Sequence, residues 1–219
     1  MMQPTGRPAV VVVGTGMAGG KIVEELLARA PHSFSIRMFG AEPGGTYNRI
    51  LLSHVLGGQA DPGRLWTHPL DWYEKNGVGV HVGVKAGVID RHNRVVKSPD
   101  GKVAEPYDIL VLATGSRPFV PPLPGKDLQG VFVFRTLADC SAIGSCAQES
   151  NKAIVLGGGL LGLEAARGLQ AHGLDVTVVE MAPQLMPQQL DAMAGQLLKR
   201  KLEALGLRVH CSAGVQQIV

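Results

Sequence analysis

The sequence has no CxxC pair, and its three cysteines, Cys140, Cys146 and Cys211, are odd in number. That leaves neither a disulfide framework nor a zinc ribbon to expect. Cys140 and Cys146 read instead as buried or half-buried thiols on one short helix. The seven histidines are scattered, without an HxxxH or a His–Cys cluster, so no metal site is expected. Aromatic residues make up only 5% against 29 glycines, which fits tight strand-to-helix turns rather than an aromatic-rich β-sandwich. No apolar stretch approaches the roughly 18 residues that span a bilayer. The Ala9–Val13 run is too short for a signal-peptide core, so a cytoplasmic protein with no membrane partner is expected. One-sided charge is lacking too. The net charge is +3 and the longest basic block, Lys199-Arg200-Lys201, falls on an expected helix, where it reads as a solvated face rather than a nucleic-acid footprint.

What is present is a repeated pattern. Ala9–Val13 is a short β-branched run of the kind a doubly buried parallel strand needs. Gly14-Thr15-Gly16-Met17-Ala18-Gly19 follows at once, then Ile22, Val23, Leu26, Leu27 and Ala30 recur at helical spacing up to Pro31. Phe34–Phe39 is the next expected strand. Gly44–Leu70 is loop-rich with a short helix around Ile50–Leu56, and Asp71–Asn76 ends a helix at Gly77. Val78 to Ala104 alternates like a β-meander with turns at residues 91–94 and 98–101, and Ile109–Ala113 reads as another buried strand. The proline-rich Phe119–Gly125 stretch lacks the backbone donors of a sheet and marks a crossing between domains. The pattern then restarts: a strand at Ala153–Leu156, a turn at Gly157–Gly162, a helix to about Gln170, a strand at Asp175–Glu180, a helix at about Gln188–Leu205 and a strand at Leu207–His210. The expected class is α/β with two Rossmann-like units. Residues 1–122 form the first, with its meander, 123–150 connect, and 151–219 form an incomplete second.

Both turns have the GxGxxG spacing in the context that gives it meaning, strand before and helix after. In each, the first glycine (Gly14, Gly157) permits the sharp turn and the second (Gly16, Gly159) lets a pyrophosphate approach. The third (Gly19, Gly162) lets helix pack on strand. The helix starts, Met17-Ala18 and Leu160-Leu161, offer free N–H groups to the anion. Glu180 closes the second strand about 20 residues on, where a carboxylate accepts ribose hydroxyls and repels a 2′-phosphate. NADH is thus expected over NADPH, the alternative being a strand-end Glu that faces solvent. In the first unit the matching position is Gly40. Either Glu42 reaches the ribose from the loop or main chain holds it, and Glu42 is taken as the candidate. Two nucleotide units in one chain imply electron transfer between a donor and an acceptor.

Gly14–Gly19, Tyr107-Asp-Ile-Leu-Val-Leu-Ala-Thr-Gly115 and Gly157–Glu180 together resemble the flavoprotein reductases that bind FAD and a nicotinamide dinucleotide. Thr46-Tyr-Asn-Arg-Ile-Leu-Leu-Ser53, Asp71-Trp-Tyr-Glu74, Thr114-Gly-Ser-Arg-Pro118, Phe134-Arg-Thr136, Gly157–Ala165, Leu185–Asp191 and Leu198–Lys201 are similar to the N-terminal region of the NADH-dependent nitrite reductase large subunit. The resemblance covers nearly the whole chain. It implies that Arg49 and Ser53 lie beside FAD, with Thr114 and Gly115 at its phosphate or ribityl side and the Ala86 backbone against its adenine. It also implies that Glu164 faces the junction of flavin and nicotinamide, in a catalytic role. A guanidinium at 49 suits a pyrophosphate, although a surface Arg and an ordinary first-turn Glu are the plain alternatives.

The function implied is passage of a hydride from NADH to FAD, with electrons delivered to a downstream redox domain or subunit. By resemblance that centre is an iron–sulfur (4Fe-4S) cluster with siroheme, reducing nitrite to ammonium in nitrate assimilation, and its ligands are outside this chain. Two departures stand out. His54 occupies the position where related ferredoxin reductases have a Lys that pairs with the Glu near the flavin. Thr46–Ser53 carries no redox Cys pair, so thiol–disulfide chemistry is not expected. Relatives complete the FAD site with a later Gly-Asp segment, so a chain ending at Val219 is expected to be a fragment or one piece of a split protein. Rubredoxin or ferredoxin reductases, an NADH oxidase and a non-catalytic nucleotide-binding fragment are the competing expectations.

Overall fold

The computed structural model describes residues 6–219. The chain runs through β1 (Ala9–Val13), α1 (Met17–Arg29), β2 (Ser35–Gly40), β3 (Thr46–Tyr47), α2 (Leu52–Leu56), β4 (Trp66–His68), α3 (Leu70–Lys75) and β5 (Gly79–Val82). It continues with β6 (Val88–Asp90), β7 (Val95–Lys97), β8 (Ala104–Pro106), β9 (Ile109–Leu112) and α4 (Leu137–Gln148). The last elements are β10 (Lys152–Leu156), α5 (Leu160–Ala171), β11 (Asp175–Val179), α6 (Ala192–Ala204) and β12 (Arg208–His210). Contacts divide it into two compact units. The first runs to Asn48 and resumes over Leu65–Ser116, and the second comprises Arg49–Arg64 and Arg117–Val219. Among the described residues no helix is long and apolar enough to cross a membrane.

In the first unit a parallel sheet has the order β5-β2-β1-β9. Successive strand side chains point to opposite faces, and β1 therefore feeds two cores. Val10 and Val12 pack with Val23, Ile36, Met38, Tyr73 and Val78, while Val11 and Val13 pack with Phe39 and Val96. Neither face of β1 meets water, so every position from 10 to 13 is valine. The antiparallel β6-β7-β8 sheet supplies Val96 to the second core. Two expectations are corrected here. The first strand of the expected meander, β5, pairs in parallel with β2 and belongs to the main sheet, which leaves β6 to β8 as the meander. β9, expected as buried, is an edge strand with Ile109 46% and Leu112 61% exposed.

The second unit has the parallel order β10-β11-β12. Leu163 and Ala166 of α5, Val176 and Val178 of β11, Leu202 of α6 and Val209 of β12 close its core, with Leu185. α6 begins at Ala192 rather than near Gln188, because Asp191 Oδ1 accepts the Ala194 N–H at 2.8 Å and fixes the N-cap there. α4 begins on a capping box of Thr136 and Asp139 and carries both Cys140, buried, and Cys146, half-buried. The boundary near residue 122 lies close to the Ser116/Arg117 division, but Arg49–Arg64 groups with the second unit. The reason is local packing. The Cys140 thiol bonds the Leu52 carbonyl at 3.4 Å, and His172 Nε2 donates to the Leu56 carbonyl at 2.6 Å. Leu56 also lies so close to Gly168 of α5 that a Cβ there would sit 2.9 Å from Leu56 Cγ.

Candidate functional site

The two glycine turns are built alike, each within its own unit. Gly14 N–H donates to Phe39 O at 2.8 Å and Gly157 N–H to Val179 O at 2.8 Å, which tie each turn to the end of its second strand. Gly14 has φ +118° and Gly157 φ +112°, conformations that a side chain would strain. The third glycines are required by proximity: a Cβ on Gly19 would sit 2.0 Å from Gly14 O, and one on Gly162 2.1 Å from Gly157 O. Around Gly159 a Cβ would meet nothing within 4 Å, so the backbone faces open space where an anion can approach.

Helix capping separates these helices from the others. α1, α4, α5 and α6 are the long helices, of 12 or 13 residues. Side chains cap α4 and α6, whereas α1 and α5 open on Gly16 and Gly159 with no side-chain cap and no acidic residue in the first turn. Uncapped N–H groups with the positive end of the helix dipole favour an anion. Met17, Leu160 and Leu161, in those first turns, are 40%, 55% and 58% exposed, and Ala18 is exposed as well. The donor set thus fits a dinucleotide pyrophosphate at each turn.

The second strand ends differ. Glu180 is half-buried, its Oε2 accepting the Gly158 N–H at 2.6 Å and its Oε1 the Ala182 N–H at 2.7 Å. It is therefore folded against the turn rather than turned to solvent. A carboxylate has about four acceptor positions, which leaves capacity for ribose hydroxyls. In the first unit Gly40 occupies the matching place, and Glu42 Oε2 accepts the Tyr47 hydroxyl at 2.7 Å. Thr114 and Gly115 follow β9 as exposed residues, with the Ala113 carbonyl lying where a Gly14 Cβ would be, at 2.1 Å. Ala86 is half-buried against the Val11, Val13, Phe39 and Val96 core.

Within the second unit Arg49, Ser53, Leu161 and Glu164 line one pocket, together with Leu52, Phe134 and Arg135. Arg49 and Ser53, which the resemblance sets beside FAD, and Glu164, which it sets at the junction of flavin and nicotinamide, thus line the same pocket. The Arg49 guanidinium is half-buried and donates to the Arg135 carbonyl at 3.2 Å. The pocket holds about 40 Å³, room for one or a few waters rather than an aromatic ring. His54 on α2 is exposed and does not line it.

A family model described as pyridine nucleotide-disulphide oxidoreductase matches residues 8–219. The chain belongs to the pyridine nucleotide-disulphide oxidoreductase family. It is 44% identical over 214 residues to the nitrite reductase [NAD(P)H] of Bacillus subtilis (strain 168), a match covering 98% of this chain and 26% of that protein. It is 46% identical over 198 residues to the assimilatory nitrate reductase electron transfer subunit of the same organism, covering 90% of this chain and 26% of the relative. Among solved structures, the water-forming NADH oxidase from Lactobacillus brevis bound to NADH superposes with a TM-score of 0.90 at 26% identity, over 97% of this chain and 48% of that one. The chain spans about a quarter of the length of these curated relatives. Its three cysteines are free, and none falls in Thr46–Ser53. Burial first, then the neighbouring Asp139 carboxylate, pushes the Cys140 thiol from 9.0 to about 11, which is unlike a reactive thiolate.

Three groups shape the turns in ways that the motifs containing them do not reveal. Thr46, 1% exposed, bonds the Thr15 carbonyl with its hydroxyl at 2.8 Å and the Tyr73 hydroxyl at 2.6 Å. Leu185 packs on Gly158, and the Met186 N–H donates to Gly158 O at 3.0 Å. Glycine spacing reports only the residues that must lack a side chain, so none of these was visible in it.

Proposed function

We propose that the chain is the NADH-oxidising flavin module of an electron-transfer enzyme, with FAD on the Gly14–Gly19 turn and NADH on the Gly157–Gly162 turn. The observation that carries this reading is the pair of uncapped glycine-opened helices in one chain, only one of which has a carboxylate, Glu180, at its strand end. Bound FAD supplies an acceptor for the hydride of bound NADH. The residues of the chain bind and orient. Gly14, Gly16, Met17, Ala18 and Gly19 cradle the FAD pyrophosphate, with Glu42 towards the ribose, and Ala86, Thr114 and Gly115 belong to the same site. Gly157, Gly159, Leu160, Leu161 and Gly162 cradle the NADH pyrophosphate. Glu180 takes the ribose hydroxyls and disfavours a 2′-phosphate, so NADH is preferred to NADPH. Arg49 and Ser53 contact FAD, and Glu164 faces the reacting rings from the same pocket.

The electrons then pass to a siroheme and iron–sulfur centre in another domain or subunit, which reduces nitrite to ammonium in nitrate assimilation inside the cytoplasm. Likeness to a nitrite reductase supports this choice of acceptor. Two experiments test the reading. Gly16→Val is expected to abolish FAD binding and spare NADH, while Gly159→Val does the reverse, each measured by equilibrium titration. Loss of both ligands in either variant, or of neither, contradicts the two-site assignment. A Cys-rich siroheme-binding sequence is expected beyond codon 219 or in a neighbouring reading frame, and failure to find one there removes nitrite as the final acceptor.

A further inference from the structure

Each glycine turn is held by a hydrogen bond to one particular carbonyl, that of the residue between its first two glycines. In the first unit the Thr46 hydroxyl donates to Thr15 O at 2.8 Å. Its single proton is then committed, so in the 2.6 Å contact of Thr46 Oγ1 with the Tyr73 hydroxyl it is Tyr73 that donates. The result is a directed chain from Tyr73 of α3 through Thr46 of β3 to the turn, with Thr46 and Tyr73 each 1% exposed. Gly20 makes room for it, since a Cβ there would lie 2.4 Å from Thr46 Oγ1. In the second unit the matching carbonyl, Gly158 O, accepts the Met186 N–H at 3.0 Å. Met186 holds a left-handed φ of +49°, which a side chain adopts at some cost.

Different donors thus restrain the same atom in the two units. In a trans peptide the C=O and the following N–H point in opposite directions. Tying Thr15 O inward therefore directs the Gly16 N–H outward, and tying Gly158 O does the same for Gly159. Neither N–H donates a hydrogen bond among the described residues. Each is the second glycine of its turn, where the pyrophosphate must come closest.

We propose that Thr46, backed by Tyr73, and the Met186 amide are positioning groups that pre-set the Gly16 and Gly159 N–H donors for the dinucleotide pyrophosphates. The inference rests on the reading given under Proposed function and goes beyond it by assigning residues that touch no ligand. A preset donor saves the reorientation that a free peptide would undergo on binding. The two struts also differ in kind: a side chain holds the FAD turn and main chain the NADH turn. One substitution can therefore loosen the first without touching the second.

Thr46→Val keeps the shape of the residue and removes the hydroxyl, whereas Thr46→Ser keeps the hydroxyl. In the full 219-residue chain, T46V is expected to weaken FAD binding roughly tenfold, the loss of about one hydrogen bond. NADH affinity stays within about twofold, and T46S restores FAD binding. The readout independent of FAD is the Gly16 amide resonance of ligand-free protein, expected to shift or broaden in T46V and to return in T46S. If T46V is too unstable to purify, Tyr73→Phe carries the test, with FAD bound roughly threefold more weakly and NADH unaffected. Wild-type FAD affinity in the purified variant, or T46S as weak as T46V, overturns the proposal. If wild-type protein takes up no FAD, the function proposed above falls by itself, and the Gly16 resonance alone then decides the strut: an unmoved resonance overturns it.

Discussion

Thr15 fills the space that a side chain on residue 40 would need. A Cβ on Gly40 would lie 2.7 Å from Thr15 Cγ2 and 2.8 Å from its Oγ1. In the second unit residue 158 is glycine and residue 180 is Glu, and a Cβ on Gly158 would meet Leu185 Cδ2 first, at 2.5 Å, and then Glu180 Cβ at 3.1 Å. In the first unit, Thr15 and residue 40 thus compete for one volume. Gly40→Ala is expected to destabilise the fold by about 1–3 kcal/mol through overpacking. Thr15→Gly made together with it should recover part of that loss. Denaturant unfolding of the two single variants and the double variant checks this, and strictly additive effects would show that the positions do not share space.

Glu180 braces its turn through the Gly158 and Ala182 N–H groups, and the proposed function gives it the ribose of the second site to read. Glu180→Ser is expected to lower the NADH-over-NADPH preference by roughly tenfold or more, because the repulsion of a 2′-phosphate disappears. Dissociation constants for both nucleotides provide the check. Unchanged selectivity would mean that another group discriminates.

Glu164 lines the pocket with Arg49 and Ser53. Glu164→Gln retains the shape and removes the charge. In the FAD-loaded chain it is expected to slow reduction by NADH on the order of ten- to a hundredfold through lost positioning, leaving the NADH dissociation constant unchanged. Single-turnover rates at saturating NADH separate the two effects, and a change in affinity alone would make Glu164 a binding residue only.

Cys140 gives the fold an alkaline sensitivity. Its thiol is raised from 9.0 to about 11 in the folded chain, so between those values the unfolded state has released a proton that the folded state retains. Its contribution to stability is thus whole below pH 9, falls as pH rises towards 11 and levels off beyond. Cys140→Ala should remove that part of the slope in unfolding free energy measured from pH 8.5 to about 11. An unaltered slope would assign the alkaline loss to other groups.

Much of the architecture was legible in local patterns. The Val10–Val13 run declared a strand with two buried faces, and each glycine turn declared the helix behind it. What escaped was decided by neighbours. β5 and β6 carry similar apolar residues, yet β5 joins the parallel sheet and β6 the meander, a choice of partner that no short window encodes. The exposure of Leu112 follows from β9 standing at the sheet edge. Glycine at position 40 looked like a missing carboxylate and is better read as space given to Thr15. Thr46 stood within a recognised motif, but its bond to Thr15 O joins residues 31 apart and exists only in the folded chain.

The most direct test of the account is the visible spectrum of the FAD-loaded chain mixed with NADH without oxygen. The flavin absorbance is expected to bleach at a rate that saturates with NADH, and NADPH should act only at much higher concentration. A flavin that stays oxidised while NADH is demonstrably bound would contradict hydride transfer within this chain.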